Sequence, residues 1–247
     1  MIILRHGILE QEIQVATPPT PSYPTDGLLA RYDFNDTLND TYGSFNGWES
    51  QATPAEWSYG ESGVINKDFK TNVTTGWSSG GAQPKKCLKN VTDASLYGMV
   101  NGTGKEWAVS FWAKITTAGM TLGYGVTWND SPSTEKIKVG WYNPGTPRLI
   151  VYGASGEIIG YNNDYRDSSW HNYVLNMDAT NIKLYVDTAE VASGSRVNLT
   201  GADICGIGAN AVATDQILMG EIDLVYFYNK AISTGDITQL YNGGSGI

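Results

Sequence analysis

The chain is poor in the residues on which most catalytic and metal chemistry depends. Among its 247 residues there are two cysteines and two histidines. Cys87 and Cys205 stand in separate strand-like segments and make no metal-ligand spacing, so they read as buried free thiols rather than as a disulfide. Basic residues are also few: 16 Lys and Arg against 25 Asp and Glu give a net charge of −9 and a pI near 4.6. They are scattered, with Lys85–Lys86 the sole adjacent pair. The counterion release that drives nucleic-acid binding therefore has no footprint here. No apolar run is long enough to span a bilayer, which excludes a membrane partner of that kind. The opening MIILRHG is interrupted as a hydrophobic segment by Arg5, His6, Glu10 and Glu12. No secretory signal is read, and export by a general secretion route is not expected. Long helical periodicity and internal repeats are absent.

What is present points to strands. Twenty-nine glycines, fifteen tyrosines and eight tryptophans suit aromatic strands joined by tight turns. In EWAVSFWAKI (106–115), Trp107, Val109, Phe111, Ala113 and Ile115 fall on one face, and Ala108, Ser110, Trp112 and Lys114 on the other. Further strands are expected near 28–34, 85–92, 120–128, 135–142, 147–152, 157–161, 170–177, 181–187, 203–208 and 216–228, separated by Gly, Asn, Asp and Pro. Many short strands at uneven spacing predict one all-β domain over 26–247, a two-sheet antiparallel jelly-roll sandwich. Residues 1–25 stand apart. Their first sixteen are partly apolar without partners for a core, and TPPTPSYPT (17–25) favours extended backbone. They read as an extended N-terminal arm that anchors the domain to a protein partner.

The last stretch, GEIDLVYFYNKAISTGDITQLYNGG, is a long strand followed by one short helix. Ile222, Leu224, Tyr226 and Tyr228 alternate with Glu221, Asp223, Val225 and Phe227. Ser233 is placed to cap the helix, with Asp236 in its first turn. Ile237, Leu240 and Tyr241 supply one apolar edge, and Gly243 stops the helix. Together with SSWHNYVLNMDATNIKLYVD (168–187) and GLLARYDFNDTLNDTYGSFNGW (27–48), this block resembles laminin-G-like domains of the concanavalin A-like lectin/glucanase superfamily. The resemblance covers most of 27–243 but little of 50–100. It implies a concanavalin A-like sandwich with one short C-terminal helix, and a structural aromatic–histidine pair at Trp170-His171. An anchored module of this type also resembles those displayed on bacteriophage particles as head decoration, fibre or tail proteins. That analogy implies a homo-oligomer in a virion or other extracellular assembly, made in the cytoplasm.

Candidate site residues follow from chemistry and from the resemblance. Laminarinase-like retaining glucanases of the superfamily carry E-x-D-x-E or E-x-D-x-x-E on a strand, whose alternation would aim three carboxylates into one cleft. Here Glu221 and Asp223 are present, but Val225 and Tyr226 stand where the acid/base should be. No catalytic residue is assigned, and a non-catalytic module is expected. The loop Asn35-Asp36-Thr37-Leu38-Asn39-Asp40-Thr41-Tyr42-Gly43 is dense in hard oxygen donors. Relatives often bind calcium, and the resemblance implies Asp40 with Asp223 as Ca²⁺ ligands. The competing reading is an Asx-turn loop. Exposed aromatics beside amides and acids suit a glycan or cell-surface polysaccharide. Trp128, Trp141, Tyr161 and Asp164 are the residues chosen on that ground, against the alternative that such Trp and Tyr side chains rim the core. A divergent glycoside hydrolase and a purely structural assembly protein are the rival functions.

Overall fold

The computed structural model describes residues 23–46, 48–49, 57–60, 63, 68–71, 89–91, 94–115, 122–130, 134–142, 148–163, 165–208 and 218–246. The strands in chain order are β1 (Leu28–Tyr32), β2 (Trp48–Glu49), β3 (Trp57–Gly60), β4 (Asp68–Thr71), β5 (Lys89–Val91), β6 (Trp107–Ile115), β7 (Leu122–Asp130) and β8 (Thr134–Tyr142). They continue as β9 (Arg148–Gly153), β10 (Gly156–Tyr161), β11 (Trp170–Met177), β12 (Asn181–Val186), β13 (Ala189–Ser195), β14 (Ile204–Ile207) and β15 (Gly220–Tyr228). Two short helices are α1 (Ala94–Tyr97) and α2 (Thr234–Tyr241).

Two antiparallel sheets result, as the strand pattern predicts. Sheet A runs β13-β12-β11-β6-β15-β4-β3, with β1 also on β15, and sheet B runs β10-β9-β8-β7-β14-β5-β2. β1 and β4 share one edge of β15 end to end: Leu28–Tyr32 pair along Tyr228–Val225, and Phe69 and Lys70 pair with Ile222 and Glu221. The strand pattern predicts nothing over β2, β3 and β4, which are two to four residues long, nor over β13, whose Ala, Ser and Gly residues carry little β preference, and it does not anticipate α1.

The two faces of β6 sort as their alternation requires. Trp107, Val109, Phe111, Ala113 and Ile115 enter the core between the sheets. Ala108 and Trp112 face outward into a second cluster with Ile237 and Leu240. The inter-sheet core sets aromatic rings among aliphatic side chains: Phe111 stacks on Tyr173 at 5.4 Å, and Trp141 meets Tyr173 edge-on at 5.1 Å. Each such side chain removed from water contributes about 1.5–3 kcal/mol. On the outer face of sheet A, α2 is fixed by a reciprocal capping box between Ser233 and Asp236, and Tyr241 stacks on Trp112 at 5.7 Å. The helix ends on Asn242 in the left-handed region, φ 47°, one residue before the expected glycine.

β15 departs from strict alternation. A bulge between Asp223 and Tyr226 places Ile222 and Val225, three residues apart, both in the inter-sheet core, while Leu224, Tyr226 and Tyr228 face outward. Leu224 adopts φ 47°. That backbone costs about 1–2 kcal/mol, and the complete burial of Leu224 beside Trp112 and α2 offsets it.

Tyr23 to Thr25, which composition groups with the arm, pack on this same face. The Tyr23 ring lies 5.7 Å from that of Tyr226, Tyr228 Oη donates to the Pro24 carbonyl at 3.1 Å, and Leu28 N donates to Thr25 O at 3.1 Å. Residues 1–22 and Cys87 lie outside the described residues; Cys205 is a free, buried thiol whose pKa burial pushes up.

Candidate functional site

At the end of β10 the chain leaves the edge of sheet B and crosses to the interior of sheet A, where β11 begins. The crossing is held by local bonds. Asn163 Oδ1 accepts from Tyr165 N at 3.3 Å, Asp167 Oδ1 from Ser169 N at 2.8 Å, and Ser168 N donates to the Ile115 carbonyl at 3.2 Å. Tyr165 and Ser168 adopt φ of 52° and 67°, which folds the segment back on the sandwich. The result is a ledge of two nearly parallel rings, Tyr161 and Tyr165, with centroids 6.3 Å apart and planes at 18°. Both rings are half-buried against the core, and Asn162 and Asn163 beside them are exposed. Burial, then the neighbouring Tyr161, pushes the Tyr165 hydroxyl up to about 12, so Tyr165 stays neutral at ordinary pH.

The ledge rests on His171. Tyr165 meets the imidazole at 5.0 Å. His171 Nδ1 lies 2.5 Å from Asp187 Oδ2, and Nε2 lies 3.2 Å from both oxygens of Asp167. With a carboxylate at each nitrogen, only the imidazolium can donate in both directions. The Asp187 hydrogen bond is the largest of the effects that raise the His171 pKa. Burial pushes Asp167 up, but its bonds from Ser169 and His171 outweigh that and hold it below the usual carboxylate range. Asp187 also accepts from Asn172 N at 2.9 Å. It sits in the two-residue turn between β12 and β13, where Asp187 and Thr188 take φ of 48° and 76°, the backbone that a tight hairpin demands.

The residues singled out from the sequence fare unequally. Tyr161 belongs to the ledge, and Asp164 lies outside the described residues. Trp128 and Trp141 are corrections: each is 0% exposed in the inter-sheet core. Trp128 packs on Trp107 at 5.3 Å and edge-on to Phe227 at 5.9 Å, so neither indole can receive a sugar ring. Asp40 is buried in its loop. Its Oδ1 accepts from Arg31 N and Tyr42 N, both at 2.9 Å, and its Oδ2 from Phe45 N at 3.1 Å, the bonding of an Asx-type loop. Asp223 is fully buried, paired across the ladder with outward-facing Trp112, and accepts from Leu224 N at 2.7 Å. Among the described residues no three His, Cys, Asp or Glu side chains are grouped to hold an ion. These two carboxylates by themselves do not amount to the six to eight oxygens that Ca²⁺ takes.

Nor do Glu221, Asp223 and position 225 share a cleft. The bulge turns Val225 into the core, and Glu221 is bound to Lys114 Nζ at 3.0 Å with its side chain 6% exposed. Sequence reasoning missed Tyr165 as a partner of Tyr161 and missed Asp167 and Asp187 as the two holders of His171.

A family model described as the concanavalin A-like lectin/glucanases superfamily matches residues 90–238. No curated protein sequence matches the chain. Among solved structures, domain 4 of AbnA, a GH43 extracellular arabinanase from Geobacillus stearothermophilus determined with arabinotriose, is similar at 20% identity. Its TM-score is 0.64, over 87% of this chain and 98% of that one. Botulinum neurotoxin type C, whose cell entry depends on interaction with two ganglioside molecules, is similar at 17% identity and TM-score 0.60, over 88% of this chain and 51% of that one. The binding domain of Paraclostridial Mosquitocidal Protein 1 gives 14% identity and TM-score 0.58, over 88% and 52%. The chain thus spans about half the length of the two toxin structures, and at these identities the likeness is one of fold.

Proposed function

The chain belongs to the concanavalin A-like lectin/glucanase superfamily, and from that premise we propose that it is a non-catalytic carbohydrate-recognition module that binds through the Tyr161–Tyr165 ledge. The observation that carries this reading is the pair of near-parallel, half-buried rings beside exposed amides. A pyranose offers a C–H face to such rings, while its hydroxyls need amide and carboxylate partners. Asn162 and Asn163 supply the first, and Asp167, whose side chain is 56% exposed, supplies the second. The rings are held in place by His171 and the core, so little side-chain entropy is lost on binding. Similar folds solved with arabinotriose, or dependent on gangliosides, support the reading. The non-catalytic part rests on Glu221, locked to Lys114, and on Val225, turned away from it.

The test is calorimetric titration with glycans selected on an array. Tyr161→Ala and Tyr165→Ala should each weaken binding about tenfold, the loss of about 1–1.5 kcal/mol of ring contact. Unfolding curves would show that both variants are folded. Unchanged affinity in both would remove the ledge as the binding surface.

A further inference from the structure

At its other end, β10 borders a cleft of about 300 Å³ between the β9–β10 hairpin and the segment that follows β13. Its origin is topological. β10 and β13 are the free edges of different sheets, and they close on each other at Gly194, where a Cβ would stand 2.9 Å from the Ile158 carbonyl oxygen. Beyond Ser195 the chain turns away from β13, and the gap opens.

Both walls are tied back. On one side, Ala154 and Ser155 form a two-residue turn between paired Gly153 and Gly156, the latter at φ 120°. On the other, Arg196 N donates to the Thr180 carbonyl at 3.1 Å, and its guanidinium donates to the carbonyls of Asp178 and Lys105. Leu199 O accepts from Gly102 N at 2.7 Å. Walls fixed in this way make a preformed site rather than one that must be ordered on binding.

The lining is two-sided in its chemistry. Ile158, Val197 and Leu199 give apolar contact, and Ser155, Asn198 and Lys136 give hydroxyl, amide and ammonium groups, the Asn198 Oδ1 already accepting from Gly104 N and Arg196 Nε at 3.4 Å. Glu157, the one acidic lining residue, is ion-paired with Arg148, so the cleft presents no uncompensated negative charge. Its volume is at the low end of the roughly 300–1,000 Å³ of small-molecule sites. We infer that this cleft is a second carbohydrate site, which takes a single neutral sugar ring with its C–H face on Ile158 and Val197 and its hydroxyls on Ser155 and Asn198. The inference rests on the recognition reading above but uses none of the ledge residues. The two surfaces share β10, the cleft at Gly156–Ile158 and the ledge from Tyr161, with Ile158 and Tyr161 roughly 10 Å apart at strand rise. A multivalent glycan engaging both would gain from effective concentration.

Amide-resolved NMR of the full chain, titrated with methyl β-galactoside, methyl N-acetyl-β-glucosaminide and methyl α-arabinofuranoside, separates the two sites. At least one sugar should shift Ser155, Gly156 and the Asn198 side-chain amide. Tyr165→Ala should leave those shifts intact, Asn198→Ala should weaken them about threefold or more, and Val197→Trp should abolish them by filling the cleft. Shifts confined to 161–171 would overturn the cleft and leave the ledge standing. Shifts confined to the cleft would support this inference and overturn the ledge. No shift at either surface with any of the three would overturn the cleft as a site for neutral sugars.

Discussion

Replacing Asp187 by alanine should destabilise the protein by about 2 kcal/mol, through contacts that cross the sequence. The carboxylate holds His171 Nδ1 at 2.5 Å and Asn172 N at 2.9 Å. A hydrogen bond to a charged partner is worth about 1.5–3 kcal/mol, and an orphaned buried N–H costs about 1–3. The sum is discounted because the Asp187 side chain is 28% exposed and that of His171 is 14% exposed, so water recovers part of both. Alanine at φ 48° adds strain that asparagine tolerates better. Asp187→Asn, which retains an acceptor, should therefore cost about half as much. Urea unfolding of Asp187→Ala, His171→Ala and the double variant, combined as a double-mutant cycle, should give a coupling of about 1 kcal/mol. The pH dependence has a definite sign. The His171 pKa is raised in the folded state, so this stabilisation is complete below the unfolded histidine pKa of about 6.5 and is lost as pH rises through the folded value. The gap between wild type and His171→Ala should accordingly be widest near pH ~6 and narrow on the alkaline side. A coupling near zero, or a gap that widens with rising pH, would refute the clamp.

Gly140→Ala should cost about 1–3 kcal/mol, because a Cβ there would stand 2.2 Å from the Gly123 carbonyl oxygen and 2.8 Å from Tyr124 Cα, neither of which can swing aside; Gly98→Ala, with nothing within 4 Å, is the neutral control in the same thermal melts. Reducing-sugar assays on laminarin and lichenan should show no turnover, and activity abolished by Glu221→Gln would defeat the non-catalytic reading. Asp40→Ala should lower stability by about 2 kcal/mol in EDTA as well as in calcium, since three backbone N–H groups lose their acceptor. A loss seen only with calcium present would show that the carboxylate serves an ion.

Those outcomes bear on what the sequence could disclose. Alternation in β6, the capping box at Ser233 and Asp236, and the spacing of Gly, Asn and Pro turns are local signals, and they give the sandwich and its helix. The bulge in β15 is not local. Nothing in GEIDLVYFY marks Leu224 for φ 47°; the demand comes from the need to seat both Ile222 and Val225 in the core. Trp128 and Trp141 are hard to place for a different reason. Each stands beside Asn, Asp or Tyr at a strand end, which points to a surface, yet each shares parity with core residues: Trp128 with Val126, and Trp141 with Ile137 and Val139. Parity along the strand was the better guide than chemical neighbours, because side chains two apart share a face whatever stands between them. The partners of His171 have no comparable signal, since Asp187 reaches it only through the pairing of β11 with β12.

The proposed placement of recognition at the two ends of β10 is consistent with how the other described surfaces are used. The space between the sheets is filled by aliphatic and aromatic side chains. The outward face of sheet A is covered by α2 and Tyr23 around Trp112 and Tyr226. On the outward face of sheet B, Lys138 is 3% exposed, with its ammonium 4.4 Å from the centre of the Tyr124 ring. Among the described residues, the perimeter is where chain connections carry polar groups that neither sheet consumes. Along that perimeter β10 is an edge strand bounded by a two-residue hairpin on one side and a sheet-to-sheet crossing on the other. The hairpin leaves a gap against the segment after β13, and the crossing stacks two tyrosines over a histidine already committed to two carboxylates. Because different bonds fix the two ends, a substitution at one should leave binding at the other intact.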